Sequence, residues 1–476
     1  MAVGSSNSFD LVVLGAGTGG YTAAFRASQL GLKVALVDQH KIGGTCLHWG
    51  CIPTKAMLES ADLYERVKRS GEYGISASDV SVDYPTIANR RDQVVERLHK
   101  GLQSLVKKNN VEYVRGTGRL QGGQKVQVDK VDEVGKSGGQ IVLDATDVIL
   151  ATGSRVKSLP GLVPDGKRII TSDDVLKGTS LPESIVIVGG GAVGVEFASF
   201  YHDVGTRVTL LEYLPALVPL EDGEVSRELE RSLTRRGIAV ITSARFDTAS
   251  VTAGERDICL MVGKEGQQPQ ELRAEQMLVA TGRAANTDDV GLESTRAQVD
   301  KGLVKVDARM RTAQPHLYAI GDIIGGLWLA HVAAHEGLAA VASIVGQPPE
   351  PVDYLKMPRA TYSRPQIASI GRSEQECERD GIPYRTGKFP FMANGKALIN
   401  GEYEGFTKVI AHRETDELLG VHLIGAHTTD LIAEASAAML LESTAWELGE
   451  AVHPHPTLSE TIGEAALAVS GRAINF

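Results

Sequence analysis

The sequence predicts an α/β protein with two similar domains built on parallel sheets, followed by a C-terminal α+β domain. A glycine-rich turn between a strand and a helix occurs twice, and both copies are followed by an acidic residue at the same distance. The proline-containing segment GQPPEPVDYLK then marks a break between these two domains and the C-terminal part of the chain. Since 476 residues are more than one hydrophobic core usually organises, several domains are expected.

The first copy of the glycine pattern lies in FDLVVLGAGTGGYTAAFRASQLGLKVALVD. Its glycines are Gly15, Gly17 and Gly20, in the order G-x-G-x-x-G, and the strand after the helix ends in Asp38. In a Rossmann-like unit, such glycines let backbone amides approach a pyrophosphate at a helix N-terminus. The acid accepts a hydrogen bond from a ribose hydroxyl. The segment therefore predicts a dinucleotide site.

The second copy lies in SIVIVGGGAVGVEFASFYHDVGTRVTLLE, with Gly189, Gly191, Gly194 and the acid Glu212. In both copies the acid follows the third glycine by 18 positions. An acid here favours a free ribose 2′-hydroxyl and repels a 2′-phosphate, so we expect NAD rather than NADP. Two such sites suit FAD and NAD, because a flavin passes electrons singly or as a hydride.

Two further strands end in Ala-Thr-Gly, and each marks the predicted end of a nucleotide-binding domain in the sequence. DVILATG ends at Gly153 and QMLVATG ends at Gly282. We therefore predict an FAD-binding domain over 1–153, an NAD-binding domain over 154–282, a central segment returning to the FAD domain over 283–349, and a C-terminal domain over 350–476. In the central segment, Asp322 follows a short apolar strand and suits a hydrogen bond from the ribityl chain of a flavin.

The charge and composition argue against two classes of protein. A net charge of −10 disfavours nucleic-acid binding, which needs a basic face, and leaves room for a basic protein partner. No apolar run approaches the roughly 18 residues of a membrane span. The start MAVGSSNSFD has no basic segment followed by an apolar one, so we expect no secretory signal and a cytoplasmic location.

Two of the four cysteines, Cys46 and Cys51, stand close together in GGTCLHWGCIPTK, just after the first glycine unit. A structural disulfide is rarely needed in a large cytosolic domain. A metal site made of Cys46, His48 and Cys51 lacks a fourth ligand, so no metal is expected. A redox dithiol beside a flavin explains both the spacing and the placement. A helix starting near Ile52 and the nearby Lys55 would lower the pKa of the Cys51 thiol.

The cysteine segment resembles the active-site segment of the flavin-dependent pyridine nucleotide–disulfide oxidoreductases. This resemblance implies that Cys46 exchanges with the substrate thiol and that Cys51 contacts the flavin ring. It also implies a catalytic pair of Lys55 and Glu196 near the flavin. Relatives commonly have Asn where this chain has His48, and the role of His48 is open.

The same resemblance implies cofactor contacts beyond the two glycine turns. These contacts are expected at Gly44, Thr45, Lys55, Gly118, Thr152, Gly153, Gly282, Arg283, Asp322, Leu329, Ala330 and His331.

A dithiol–disulfide enzyme also needs a base, and AVHPHPTLSE offers His453, His455 and Glu460. A carboxylate that holds an imidazole in one tautomer suits it for proton transfer, but spacing alone leaves the choice of histidine open. The segment is similar to HxHPTxSE of the dihydrolipoyl dehydrogenase branch of the family. That similarity implies His455 as the base, Glu460 as its orienting acid, and a homodimer in which the base comes from the other subunit.

The resemblance runs from about residue 9 to the C-terminus, and it implies an activity. The expected reaction reoxidises protein-bound dihydrolipoyl groups through the Cys46–Cys51 disulfide and FAD, and reduces NAD⁺ to NADH. Expected partners are the lipoyl domain and acyltransferase core of 2-oxoacid dehydrogenase complexes, or the lipoyl carrier of glycine cleavage. The alternatives are a glutathione- or mercuric-reductase-like enzyme and a non-catalytic assembly subunit.

Overall fold

The computed structural model describes residues 7–132, 136–348 and 351–476. The chain forms two compact units. The first unit consists of Met1–Ala56, Ala88–Lys157 and Arg283–Tyr354, and the second of Met57–Ile87, Ser158–Gly282 and Leu355–Phe476. The division into four domains stays a prediction, and its boundary between residues 349 and 350 lies outside the described residues.

The first unit is built on a parallel sheet of five strands. In spatial order these are Glu112–Leu120, Val34–Asp38, Ser8–Leu14, Ser137–Leu150 and Leu317–Ala319. Strand Lys125–Val131 pairs antiparallel with the two longest of these strands. The helices of the first unit are Thr18–Gln29, Gly44–His48, the start of Cys51–Lys68, most of Tyr84–Lys108, and Ala330–Ile344. The first unit also contains two short antiparallel pairs of strands. Ser154–Val156 pairs with Arg283–Ala285, and Val299–Asp300 pairs with Leu303–Val304.

The second unit contains a second parallel sheet of five strands. In spatial order these are Ala239–Ile241, Arg207–Leu211, Ser184–Val188, Gln276–Val279 and Ile169–Thr171. An antiparallel sheet is formed by Ala244–Phe246, Thr252–Ala253, Ile258–Lys264 and Gln270–Ala274. Before its C-terminal part, the helices of the second unit are most of Cys51–Lys68, Ser172–Val175, Ala192–Asp203 and Gly223–Arg236. The repeated strand–turn–helix–strand arrangement confirms the predicted α/β class.

The last part of the second unit is α+β, as predicted. Its antiparallel sheet has the order Arg359–Thr361, Gln366–Gly371, Leu418–Gly425, Phe406–His412 and Tyr384–Pro390. The helices are Glu374–Asp380, Gly395–Asn400, Thr428–Leu440, Ala445–Glu450 and Glu460–Ala468.

One helix of this C-terminal part is seated directly on the sheet. A Cβ at Gly387 would overlap the backbone at Ala465 and Val469, so only glycine permits this close approach of strand and helix. Ile462 and Ala465 are fully buried in the same core. This packing fixes the helix that begins at Glu460. None of the helices in the described ranges has the length and apolar character that crossing a bilayer requires.

Candidate active site

The first glycine turn is shaped by close backbone approaches. Gly15 has φ +104°, and a Cβ there would overlap the Ala151 carbonyl. A Cβ at Gly20 would overlap the Gly15 carbonyl, whereas one at Gly17 would have only the Cα of Gly44 within 4 Å. The outer glycines therefore close the turn, and the middle one leaves room for a ligand at the N-terminus of the twelve-residue helix Thr18–Gln29.

The second turn repeats this geometry in the second unit. Gly189 has φ +114° and abuts the Ala280 carbonyl, and a Cβ at Gly194 would overlap the Gly189 carbonyl. Gly191 again has nothing within 4 Å of its added Cβ, beside the first turn of helix Ala192–Asp203. Both turns thus fit the pyrophosphate of a dinucleotide, because each offers an open backbone approach at a positive helix end.

The two strand-end acids hold these turns in place. The Oδ2 atom of Asp38 accepts a hydrogen bond from the Ala16 amide at 2.6 Å. The Oε2 atom of Glu212 accepts one from the Gly190 amide at 2.5 Å, and its Oε1 accepts from the Leu214 amide at 2.7 Å. The sequence predicted only a ribose contact for these acids. The structure adds that each carboxylate also orients its own glycine turn.

The cysteine pair forms a disulfide in the first unit. Cys46 lies in the short helix Gly44–His48, Cys51 is the first residue of helix Cys51–Lys68, and their Cα atoms are 4.6 Å apart. The helix predicted near Ile52 is present and begins one residue earlier. Cys51 therefore faces the positive end of an 18-residue helix, which stabilises a thiolate.

The disulfide segment lies against the first glycine turn. Gly44 has φ +59°, and a Cβ there would come within 2.6 Å of the Gly17 Cα atom. Gly43 has φ +120° and its amide donates to the Ala16 carbonyl at 2.8 Å. Glycine suits such conformations and contacts, so the Gly-Gly pair places the disulfide next to the first glycine turn.

The predicted catalytic partners Lys55 and Glu196 are placed on helices. Lys55 lies in the first unit, in the first turns of helix Cys51–Lys68. Glu196 is buried in helix Ala192–Asp203 of the second unit, where its Oε1 atom accepts a hydrogen bond from the Tyr362 amide at 2.9 Å. Their pairing stays a prediction.

Asp322 is held by residues that the sequence reading missed. Its carboxylate accepts a hydrogen bond from the Ser154 hydroxyl. The amide of Gly321 donates to the buried carboxylate of Glu336 at 2.6 Å, and the Tyr354 hydroxyl donates to the same group at 2.9 Å. Burial raises the pKa of Glu336. No short motif signals these contacts, because the partners are far apart in the sequence.

The remaining predicted cofactor residues are spread over several elements. Thr152 and Gly153 follow strand Ser137–Leu150, and the Thr152 hydroxyl donates to the carbonyl of Asn286 at 2.8 Å. Arg283 follows Gly282 and donates from Nε to the Ser154 hydroxyl at 2.7 Å.

Thr45 shares the short helix of Cys46, while Leu329, Ala330 and His331 form the start of helix Ala330–Ile344. Gly118 lies within a strand, where a Cβ would lie 2.6 Å from a terminal methyl of Leu14 and 3.3 Å from one of Val37, and its contact with a cofactor stays a prediction.

The two C-terminal histidines have different surroundings. The Nδ1 atom of His455 lies 2.8 Å from Oε1 of Glu460, and 79% of the His455 side chain is exposed. The Thr457 amide donates to the other Glu460 oxygen at 2.8 Å. Partial burial acts to raise the pKa of Glu460, but the Thr457 amide and His455 outweigh it and lower that pKa. With Nδ1–H directed at the carboxylate, the exposed Nε2 of His455 is left to accept a proton.

His453 instead has a packing role. Its Nε2 atom lies 2.6 Å from Oε1 of Glu434, only 11% of the side chain is exposed, and the ring lies against Gly463. The hydrogen bond to Glu434 raises the pKa of His453. The geometry therefore favours His455 as the base over His453.

Replacing His453 with glutamine is expected to destabilise the protein most at low pH. Because the folded-state pKa of His453 lies above its unfolded value of about 6.5, its ion pair contributes stability fully below that pH and loses it as pH rises through the folded pKa. The Tm difference between wild type and His453→Gln should therefore shrink from pH 6 to pH 9. A constant difference across this range would contradict the ion pair.

Three carboxylates in the second unit come close enough to suggest a metal site. Asp222, Glu224 and Glu374 have oxygens within 4.8 Å of one another. However, the buried ammonium of Lys408 contacts all three carboxylates. The Lys408 ammonium thus already supplies a positive charge to these carboxylates. Its ion pairs link helix Gly223–Arg236 to the C-terminal sheet.

Family models match most of the chain. The model described as pyridine nucleotide-disulphide oxidoreductase matches residues 9–337. The model of the dimerisation domain of the same proteins matches residues 357–466.

Curated relatives match over nearly the full length. A dihydrolipoyl dehydrogenase of Bacillus subtilis is 46% identical, over 98% of this chain and 99% of that protein. The dihydrolipoyl dehydrogenase of Zymomonas mobilis is 40% identical, over 98% and 99%. The mitochondrial dihydrolipoyl dehydrogenase 1 of Arabidopsis thaliana is 38% identical, over 100% and 93%.

Solved structures share the fold. LpdA from Mycobacterium tuberculosis superposes with a TM-score of 0.88 at 27% identity, over 96% of this chain and 98% of that chain. The flavoprotein disulfide reductase RclA from Escherichia coli superposes with a TM-score of 0.83 at 23% identity, over 96% and 99%. At that identity the second likeness supports the architecture alone.

Proposed function

Since this chain belongs to the pyridine nucleotide-disulphide oxidoreductase family, we propose that it oxidises dihydrolipoyl groups and reduces NAD⁺. It is an oxidoreductase that uses FAD and NAD. The Cys46–Cys51 disulfide beside the first glycine turn is the observation that carries this function. Full-length relatives named dihydrolipoyl dehydrogenase support the substrate class.

The two glycine turns supply the cofactor sites. The turn at Gly17 would hold the FAD pyrophosphate and the turn at Gly191 that of NAD, since both leave an open backbone approach. FAD held there would supply a two-electron acceptor for the reduced cysteine pair and a hydride donor for NAD⁺. Asp322, fixed by Ser154, would hold the flavin polyol.

The chain's own residues then perform the thiol chemistry. His455 accepts the proton of one lipoyl thiol on Nε2, and the resulting thiolate attacks the sulfur of Cys46. The Cys46–Cys51 bond breaks, and Cys51 leaves as a thiolate stabilised by its helix N-terminus. The second lipoyl thiol then attacks the first lipoyl sulfur and closes the lipoyl ring, and Cys46 is displaced as a thiol that takes up the second proton. Two electrons thereby move from the dithiol to the cysteine pair.

The C-terminal domain matches a dimerisation domain, which supports a homodimer. We propose that each subunit supplies His455 and Glu460 to the disulfide of the other. The lipoyl group would come from a separate chain, as the lipoyl domain of a 2-oxoacid dehydrogenase complex with its acyltransferase core, or as the carrier of glycine cleavage. We place this activity in the cytoplasm, the expected location of its bacterial relatives.

The test of this function is an anaerobic titration of the purified holoenzyme with dihydrolipoamide, followed by its visible spectrum. The expected result is a long-wavelength absorbance band, which a Cys51 thiolate produces against oxidised flavin, and NADH formation on adding NAD⁺. A flavin spectrum that does not respond to the dithiol would refute the proposal. A response to reduced glutathione with NADP⁺ alone would identify a different disulfide reductase.

Replacing Glu212 with glutamine is expected to weaken the preference for NAD. Losing a hydrogen bond to a charged acceptor costs about 1.5 kcal/mol, so the KM for NAD⁺ should rise about tenfold. Because the charge that repels a 2′-phosphate is also removed, the ratio of kcat/KM for NADP⁺ to that for NAD⁺ should rise further. The exposed Glu255, replaced in the same way, serves as the control. An unchanged ratio would remove Glu212 from nucleotide selection.

A further inference from the structure

The carbonyl of Ile42 accepts hydrogen bonds from two histidines in the first unit. The Nε2 atom of His48 lies 2.9 Å from this oxygen, and the Nδ1 atom of His99 lies 3.2 Å from it. His99 is buried and comes from helix Tyr84–Lys108, 57 positions away in the sequence. The two rings meet edge to face with centroids 5.2 Å apart. Together, His48, His99 and the Ile42 carbonyl are called the imidazole clamp below.

The imidazole clamp acts on the peptide that leads into the disulfide helix. Ile42 is followed by Gly43 and Gly44, whose left-handed conformations form the turn against the first nucleotide site. Cys46 then lies in helix Gly44–His48, which has only five residues. So short a helix is not stable by itself, so its position depends on contacts with the rest of the unit. The clamp provides such contacts at both ends, since it holds Ile42 before the helix and His48 at its last residue.

His48 is suited to this role as a neutral group. Burial lowers the pKa of His48, and the charges of His99 and Lys41 act in the same direction, while its bond to the Ile42 carbonyl and the charge of Asp38 oppose them. A neutral ring has one N–H, and because Nε2 faces a carbonyl, Nε2 carries it. The clamp therefore works through hydrogen bonds and packing.

We propose that His48 and His99 are positioning residues that keep Cys46 in reach of Cys51 when the disulfide is reduced. With the clamp intact, the two thiols stay at a high effective concentration, which favours disulfide formation. Without it, helix Gly44–His48 is released, Cys46 explores more positions, and the dithiol state gains entropy. The inference rests on the proposed function in one respect, that Cys46 and Cys51 cycle between disulfide and dithiol.

The test measures this equilibrium in the holoenzyme. The protein is equilibrated anaerobically with mixtures of dihydrolipoamide and lipoamide, quenched with acid, alkylated, and analysed by mass spectrometry. In the exchange, dihydrolipoamide loses two electrons and two protons as its S–S bond forms, and the enzyme disulfide becomes two thiols. The variants are His48→Phe, His99→Phe and the double variant, which keep aromatic rings and lose the donors.

Either imidazole alone still holds the carbonyl, so each single variant should shift the equilibrium toward dithiol only about threefold. The double variant should shift the equilibrium by more than the product of the two single-variant shifts. We expect at least a tenfold shift, which corresponds to about 30 mV. His48→Gln and His99→Asn keep a donor near the original nitrogen positions and should restore the wild-type equilibrium.

His40 provides the matched control. It is exposed, and its ring lies 5.3 Å from that of Trp49, which also contacts His48. His40→Phe should leave the equilibrium unchanged. Wild-type protein whose disulfide is not reduced by dihydrolipoamide would refute the proposed function. If dihydrolipoamide reduces the wild-type disulfide but the equilibrium of the double variant is not shifted, the imidazole clamp is overturned and the proposed function stands. If the double variant does not fold, identical equilibria for His48→Phe and His48→Gln would overturn it.

Discussion

Replacing Cys46 with serine is expected to abolish the oxidation of dihydrolipoamide while the protein still binds FAD. The serine hydroxyl cannot form the mixed disulfide with the lipoyl sulfur, so turnover should fall by at least about 10³-fold. NADH oxidation by a one-electron dye should persist, since it needs the two nucleotide sites and no thiol. Both rates are measured on the same preparation, with its FAD content determined from the visible spectrum.

Cys259→Ser is the matched control for this change. Cys259 is a free cysteine in strand Ile258–Lys264, away from the first glycine turn in the sequence, and its replacement should keep full activity. Cys51→Ser should lose activity as completely as Cys46→Ser, because either change removes the disulfide. Substantial dihydrolipoamide turnover by Cys46→Ser would mean that the electrons take another route.

The two glycine turns were predictable because much of what determines them is local. Gly15 adopts φ +104°, and a Cβ at Gly20 would overlap the Gly15 carbonyl, so within these six residues the backbone already favours glycine at both positions. The same holds for Gly189 and Gly194, and both turns formed where the sequence predicted them. The start of the helix at Cys51 was likewise readable from the adjacent segment.

The contacts that support the site were not predictable, because they join distant parts of the chain. Nothing around Ile42 signals that its carbonyl is reached by His99 from another helix. Likewise, Glu336 meets Gly321 only after the central segment folds back. The two C-terminal histidines were indistinguishable by spacing, and they are told apart by the burial of His453 and by its partner Glu434 on a separate helix.

Replacing His455 with glutamine is expected to lower kcat/KM for dihydrolipoamide by about 10² to 10⁴-fold at pH 7, the usual contribution of a general base. The loss should shrink as pH rises, because the substrate thiol ionises by itself near the pKa of an ordinary thiol, about 8.5. The measurement is the pH profile of kcat/KM for wild type and variant between pH 6 and 9.5. A variant whose loss is independent of pH would show that His455 only shapes the binding site.

Two further variants separate base chemistry from packing in this loop. Glu460→Gln keeps a side-chain oxygen that can accept from Nδ1 of His455 but removes the carboxylate charge, so its loss should be smaller than that of His455→Gln. His453→Gln should keep turnover close to wild type, because its Nε2 atom is committed to Glu434 and most of its ring is buried. If His453→Gln instead showed the pH-dependent loss expected for His455→Gln, the assignment of the two histidines would have to be exchanged.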